Sequence, residues 1–202
     1  MNLFEVLIKG GWVMIPIALS SILVIAIGVT RFLNLRKERN ILSIFISRWK
    51  KSSGASDIKK FQSSCELGPE FCVQAVSIFK NNTGAASDLS DSLETVGSQE
   101  LYRLESGLAT IATLAAVTPL LGFLGTVTGM IKAFMHIQSL GGNVNANVLA
   151  GGIWEALVTT AAGLAVGILA LLVYNYLTSV VKSCARMMED CGEIMQRAYR
   201  GN

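Results

Sequence analysis

Charge is scarce in this sequence: Asp, Glu, Lys and Arg supply 15% of its 202 residues, against 51% hydrophobic residues and a mean hydropathy of +0.51. Those proportions exclude disorder, a collagen-like repeat and a disulfide scaffold, and they belong to an integral membrane protein rather than a water-soluble domain. A net charge of +3, from 17 basic and 14 acidic side chains, is too weak for a nucleic-acid surface. Catalytic signatures are missing as well. There is no GxxxxGK[ST] phosphate loop, no HExxH and no GxSxG, and one histidine, His136, makes neither a triad nor a metal cluster. His136 is either a loop residue or, at the end of an apolar helix, a proton relay. The four cysteines, Cys65 with Cys72 and Cys184 with Cys191, are spaced seven apart in each pair, which is neither CxxC nor a zinc-ligand pattern. They read as small packing residues in a reducing compartment. No enzyme and no cofactor is implied.

What is present is three stretches without a charge, from Gly10 to Thr30, Ser106 to Ile131 and Ala156 to Val181. Each exceeds the about 20 residues that cross a bilayer as a helix. The first is too long for a signal-peptide core, lacks a clear small-x-small cleavage site and ends in a basic cluster, so it reads as a retained helix. Arg31, Arg36, Lys37 and Arg39 follow the first stretch, Arg103 precedes the second, and Lys182 and Arg186 follow the third; only Lys9 and Lys132 stand on the other side. The positive-inside rule then puts the N-terminus outside and the C-terminus in the cytoplasm.

The resulting layout has an extracytoplasmic N-terminus (1–11), transmembrane helix 1 (12–33), a cytoplasmic helical segment (34–105), transmembrane helix 2 (106–135), a short extracytoplasmic loop (136–148), transmembrane helix 3 (149–181) and a cytoplasmic tail (182–202). Ile41, Ile44, Phe45 and Trp49, then Val73, Val76, Ile78 and Phe79, recur near helical spacing in the cytoplasmic segment. Turns are expected at Ser52 to Ser56, Gly68-Pro69 and Asn81 to Ala86, and Gly141, Gly142, Asn143 and Asn145 supply turn chemistry in the short loop. No strand alternation long enough for a sheet is present. The membrane helices are expected to continue into the cytoplasm with the other helices packed on them.

Glu155 breaks the apolar pattern. If helix 3 starts near Asn145 or Asn147, which are potential caps, it lies two to three turns inside, where a carboxylate costs roughly 2.5 to 3.5 kcal/mol on insertion scales. It is either a protonatable site turned from lipid or an interfacial glutamate reaching water. Nearby, Pro119, Gly122, Thr126, Gly129 and Ala133 give helix 2 a face of small residues carrying a hydroxyl, and Thr160, Gly163 and Gly167 do the same for helix 3. Such faces let helices approach closely in lipid. At 100° per residue Glu155 shares its phase with Thr159, Ala162, Val166 and Val173, while Thr160 lies about 140° away. Either the Glu155 face borders a pore while the Thr160 face meets a neighbouring helix, or the helix is distorted.

The stretches Leu121-Gly122-Phe123-Leu124-Gly125-Thr126-Val127-Thr128-Gly129-Met130 and Gly152-Ile153-Trp154-Glu155-Ala156-Leu157-Val158-Thr159-Thr160-Ala161-Ala162-Gly163-Leu164 resemble the two signature helices of the MotA/TolQ/ExbB proton-channel family, closest to its ExbB members. Gly10-Gly11-Trp12-Val13-Met14-Ile15-Pro16-Ile17 followed by a basic run is similar too. The likeness spans all three helices and is specific over the second and third. Three helices with a large first cytoplasmic loop suit ExbB and TolQ better than the four-helix pattern of MotA.

The resemblance implies an all-α membrane protein assembling as a ring, a homopentamer in the bacterial inner membrane around an ExbD-like single-helix partner that brings an essential aspartate. Position by position, Glu155, Thr160 and Thr126 match the family's pore residues, with Thr159, Pro119, Gly122 and Gly129 supporting them. It also implies that the proton motive force turns the inner helices and that a TonB-like protein passes the work to outer-membrane transport. A TolQ-like motor for envelope integrity, a flagellar-type stator, a non-conducting membrane scaffold and a small secondary transporter are the alternatives; the last lacks an inverted repeat.

Overall fold

The structure, a computed structural model, describes residues 10–51, 70–81, 86–139 and 146–200. Among them are the helices α1 (Met14–Lys51), α2 (Glu70–Asn81), α3 (Ala86–Glu105), α4 (Leu108–Ser139) and α5 (Ala146–Arg200), and no strand. The turns expected at Ser52 to Ser56 and at Gly68-Pro69, the turn residues Gly141 to Asn145, Lys9 and Cys65 lie outside the described residues.

Three helical stretches, within Met14–Ser47, Ser87–Ser139 and Leu149–Arg197, are long and apolar enough to cross a membrane, and this is an all-α, multi-pass membrane protein. At 1.5 Å rise, the 38 residues of α1 reach about 57 Å and the 55 of α5 about 82 Å. Both exceed a hydrocarbon core of about 30 Å, so each helix outruns its apolar stretch.

Local chemistry sets the ends. Gly11 (φ 68) takes the left-handed conformation that glycine adopts without strain, and its carbonyl accepts from Met14 N–H at 3.2 Å to open α1. Pro16 follows in the first turn, where a missing N–H costs no helical bond. Gly107 (φ 81) separates α3 from α4 in the same way. The helical run therefore begins at Leu108, and it continues through Pro119, Gly122, Gly125 and Gly129 to Ser139. His136, expected in the loop, stands exposed in the last turn of α4.

The chain divides into two compact units, residues 1–29 with 107–175 and residues 30–106 with 176–202. In the first, Val13, Met14 and Ile17 are buried and Leu121, Ala162 and Val166 pack on them. Its outer faces carry exposed Ile15, Leu19 and Ile22 on α1, Leu120, Phe123 and Phe134 on α4, and Leu157, Ile168 and Leu172 on α5. In water such faces are a liability; in a bilayer they are the solvated surface.

The second unit is a helical bundle with a core of large side chains. On α2 the buried residues Phe71, Cys72, Ala75, Val76 and Phe79 keep helical spacing, and α2 packs on α3. Leu42, Leu89, Leu104, Cys184, Met188, Cys191 and Met195 are buried with them, so the described cysteines are packing residues. One ionic cluster interrupts this core. Arg103 donates to both carboxylate oxygens of buried Glu100, at 2.9 and 2.6 Å, and to Glu38 Oε1 at 2.7 Å. Its guanidinium is held well above its ordinary range, first by the hydrogen bonds to Glu100. Glu38 receives only a share of that cation, and its Oε2 is buried without a hydrogen-bond partner. Burial outweighs the attraction of Arg103 and raises the Glu38 carboxyl; burial likewise raises the Cys184 thiol.

Candidate functional site

The site lies in the first unit, where α4 and α5 run antiparallel with their backbones close together. Gly122 faces Gly163, Gly129 faces Ala156, and Ala133 faces Gly152, pairs that advance in opposite directions along the two helices. A Cβ on Gly163 would stand 2.8 Å from both Gly122 Cα and Thr118 O, and one on Gly129 would stand 3.1 Å from Ala156 Cβ. Pro119 fills the space opposite Gly167. The small residues at these positions are what the approach requires.

Two hydroxyls lie in this seam. Thr160 Oγ1 donates to Gly122 O across the helices at 2.9 Å. Thr159 is fully buried; its hydroxyl donates to Ala156 O at 2.8 Å within α5 while its side chain occupies the hollow left by Gly125. Thr126 differs: its hydroxyl donates to Phe123 O of its own helix at 2.6 Å.

Glu155 sits at the flank of the seam. Its Oε1 accepts from Lys132 Nζ of α4 at 2.8 Å, and the two side chains are 23% and 51% exposed. Gly11 closes over it: a Cβ there would overlap the Glu155 carboxylate and stand 3.5 Å from Lys132 Nζ. Further along the same phase of α5, Ala162 and Val166 pack on the Val13, Met14 and Ile17 cluster, and Val173 meets Gly28. Within one chain, then, Ala162, Val166 and Val173 of α5 lie against α1 and the residues before it, Thr159 and Thr160 lie against α4, and Glu155 stands between Gly11 and Lys132, on one continuous helix.

The structure thus brings Pro119, Gly122, Gly129, Thr159 and Thr160 into one seam and sets Glu155 beside it. Sequence reasoning missed Lys132 and Gly11 as neighbours of Glu155. The signal for Lys132 was the small-residue register: once Gly129 is set opposite Ala156, Lys132 falls within a turn of Glu155.

The site is thus a carboxylate paired with a lysine at the side of a hydroxyl-bearing seam, in helices of bilayer-spanning length. Residues 68–190 match the MotA/TolQ/ExbB proton channel family. The chain belongs to that family. Members similar to it include the ExbB-like 3 biopolymer transport protein of Synechocystis sp., 30% identical over 95% of this chain and 92% of the relative. The ExbB-like 1 protein of the same organism is 29% identical over 98% of this chain and 80% of its own length. Biopolymer transport protein ExbB of Neisseria gonorrhoeae is 40% identical over a shorter match, 42% of this chain and 38% of the relative. For a proton-channel family, a carboxylate, its cation and an interhelical hydroxyl in the membrane are the features that call for an account.

Proposed function

We propose that this chain is the ExbB-like channel subunit of a proton-driven motor in the bacterial inner membrane, a non-enzymatic homopentamer that encloses an ExbD-like helix and energises outer-membrane transport through a TonB-like protein. The observation that carries this reading is Glu155, a partly exposed carboxylate within an otherwise uncharged stretch of a membrane helix, about one turn from the Thr159 and Thr160 hydroxyls. With the N-terminus outside, Glu155 lies near the outer end of its span and receives protons from that side. Thr160 spends its proton on Gly122 O, and its oxygen keeps lone pairs that accept a hydrogen bond from a water or a protonated carboxyl. Thr126 extends the route on α4, where rotation of its hydroxyl away from Phe123 O makes it available.

The proton passes to the partner's aspartate. Neutralised, that aspartate moves past apolar walls at lower cost; released to the cytoplasmic side, the proton leaves it charged again. Each charge crossing gains about 2.3 kcal/mol per 100 mV of membrane potential. Lys132 serves as the counterion that makes Glu155 tolerable in the membrane between proton arrivals.

The same ion pair favours a second reading, a non-conducting scaffold in which Glu155 and Lys132 pin α5 to α4. A charge exchange separates the two. In the channel reading, Glu155→Lys combined with Lys132→Glu restores assembly but leaves energised uptake abolished, because the carboxylate is now on the wrong helix. In the scaffold reading assembly and uptake recover together. Glu155→Ala and Thr160→Val proteins that assemble and still support normal uptake would refute the channel roles outright.

A further inference from the structure

In the second unit a cavity of about 200 Å³ opens between the middle of α1 and α5, lined by Phe32, Leu35, Arg36, Arg39, Tyr176, Leu177 and Val180. Leu35, Leu177 and Val180 are buried and form its floor. Phe32 and Tyr176 stack at 5.6 Å between ring centroids, and the Arg36 guanidinium lies 5.9 Å over the Phe32 ring. Arg36 and Arg39, three residues apart, project from the same side of α1. Both are exposed, and among the described residues neither has a carboxylate within ion-pair distance. The nearby Glu38 is taken by Arg103. The cavity therefore has an apolar floor, an aromatic wall and two unneutralised guanidinium groups.

Its height along the helices is informative. It starts two residues after the first charge-free stretch ends at Thr30 and lies at the end of the third, which closes at Val181. Aromatic rings and arginines collect at this level because one side of the site is hydrocarbon and the other is headgroup. Guanidinium groups match phosphate oxygens with paired, charge-assisted donors. The volume holds a phosphate diester with a small substituent, being several times the roughly 30 Å³ share of one water.

We infer that this cavity binds the headgroup of an anionic phospholipid, with Arg36 and Arg39 on the phosphate and Phe32 and Tyr176 against the glycerol end of the chains. Two cations with no internal counterion favour a lipid of net negative charge over a zwitterionic one.

Native mass spectrometry of the assembled protein, released from detergent containing phosphatidylglycerol or phosphatidylcholine, reads the inference. Wild-type protein should retain phosphatidylglycerol in preference to phosphatidylcholine. Retention should fall roughly fivefold for R36Q or R39Q and about twenty-five-fold for R36Q/R39Q. R197Q, which removes an exposed charge elsewhere on α5, should leave it unchanged. Should the double variant fail to assemble, each single variant carries the same test. Excess inorganic phosphate should not displace the lipid; displacement would assign the site to free phosphate and overturn the inference. Equal retention of the two lipids, or unchanged retention in R36Q and R39Q, would overturn it as well.

Discussion

Between α4 and α5 in the first unit the contacts are made by Gly122, Gly125, Gly129, Ala156 and Gly163, whereas in the second unit they are made by Phe71, Leu42, Leu89, Met188 and Met195. The difference follows from the solvent. Lipid tails are as apolar as leucine, so burying a large side chain between membrane helices gains little, and close backbone approach with an interhelical hydrogen bond does the work instead. In water, burial of large apolar groups is the main driving force. Among the described residues of the second unit, the buried charged side chain, Glu100, is paired with Arg103, which also holds Glu38.

The contrast makes opposite substitutions damaging in the two units. The largest loss is expected from truncation in the second: Phe71→Ala empties a fully packed site and should cost about 3–5 kcal/mol, seen as a fall in the thermal midpoint of the detergent-solubilised protein. Next comes enlargement in the first. Gly163→Val drives a side chain into the Gly122 backbone, which cannot yield, and should cost at least about 1–3 kcal/mol, with loss of assembled protein on size exclusion. If Gly163→Val were tolerated while Phe71→Ala was not, the close approach of α4 and α5 would be wrong. Thr160→Val keeps the shape and removes the bond to Gly122 O; about 0.6 kcal/mol, at most about 1.7, is expected in stability, while proton transfer should be lost.

The smallest effect has a pH signature. The Glu38 carboxyl is raised above its ordinary 4.5 by burial. A carboxyl with a raised folded-state value disfavours folding once it must ionise. The penalty is absent below 4.5 and grows as pH rises through the raised value. Glu38→Gln should therefore match wild type in acid and be the more stable protein near neutrality; a variant less stable at neutral pH would mean that the Arg103 pair outweighs burial.

Much of this arrangement was legible because membrane helices advertise themselves. Uncharged runs of more than twenty residues leave no other structure available, and Glu155 stood out against them. The seam was legible too, since glycine and alanine at three- and four-residue intervals mark the contacting face. What the residues did not disclose was which partner each face takes. The phase of Glu155 along α5 is common to Ala162, Val166 and Val173, but nothing in a single helix says that this line meets Val13, Met14 and Ile17. The Lys132 pairing is of the same kind, a consequence of register between two helices rather than of spacing within one. Gly11 is subtler: its left-handed backbone and its place against the carboxylate both depend on the fold around it. His136 stands in the last turn of α4, before the turn residues that begin at Gly141.

The central claim is that Glu155 and Thr160 carry protons. Proteoliposomes containing this protein and an ExbD-like partner, with a pH-sensitive dye inside and an imposed gradient, test it most directly. We expect proton flux that requires the partner and is abolished in Glu155→Gln and in Thr160→Val at unchanged assembly. Flux that persists undiminished in both variants, or that is absent from the wild-type pair, would contradict the account.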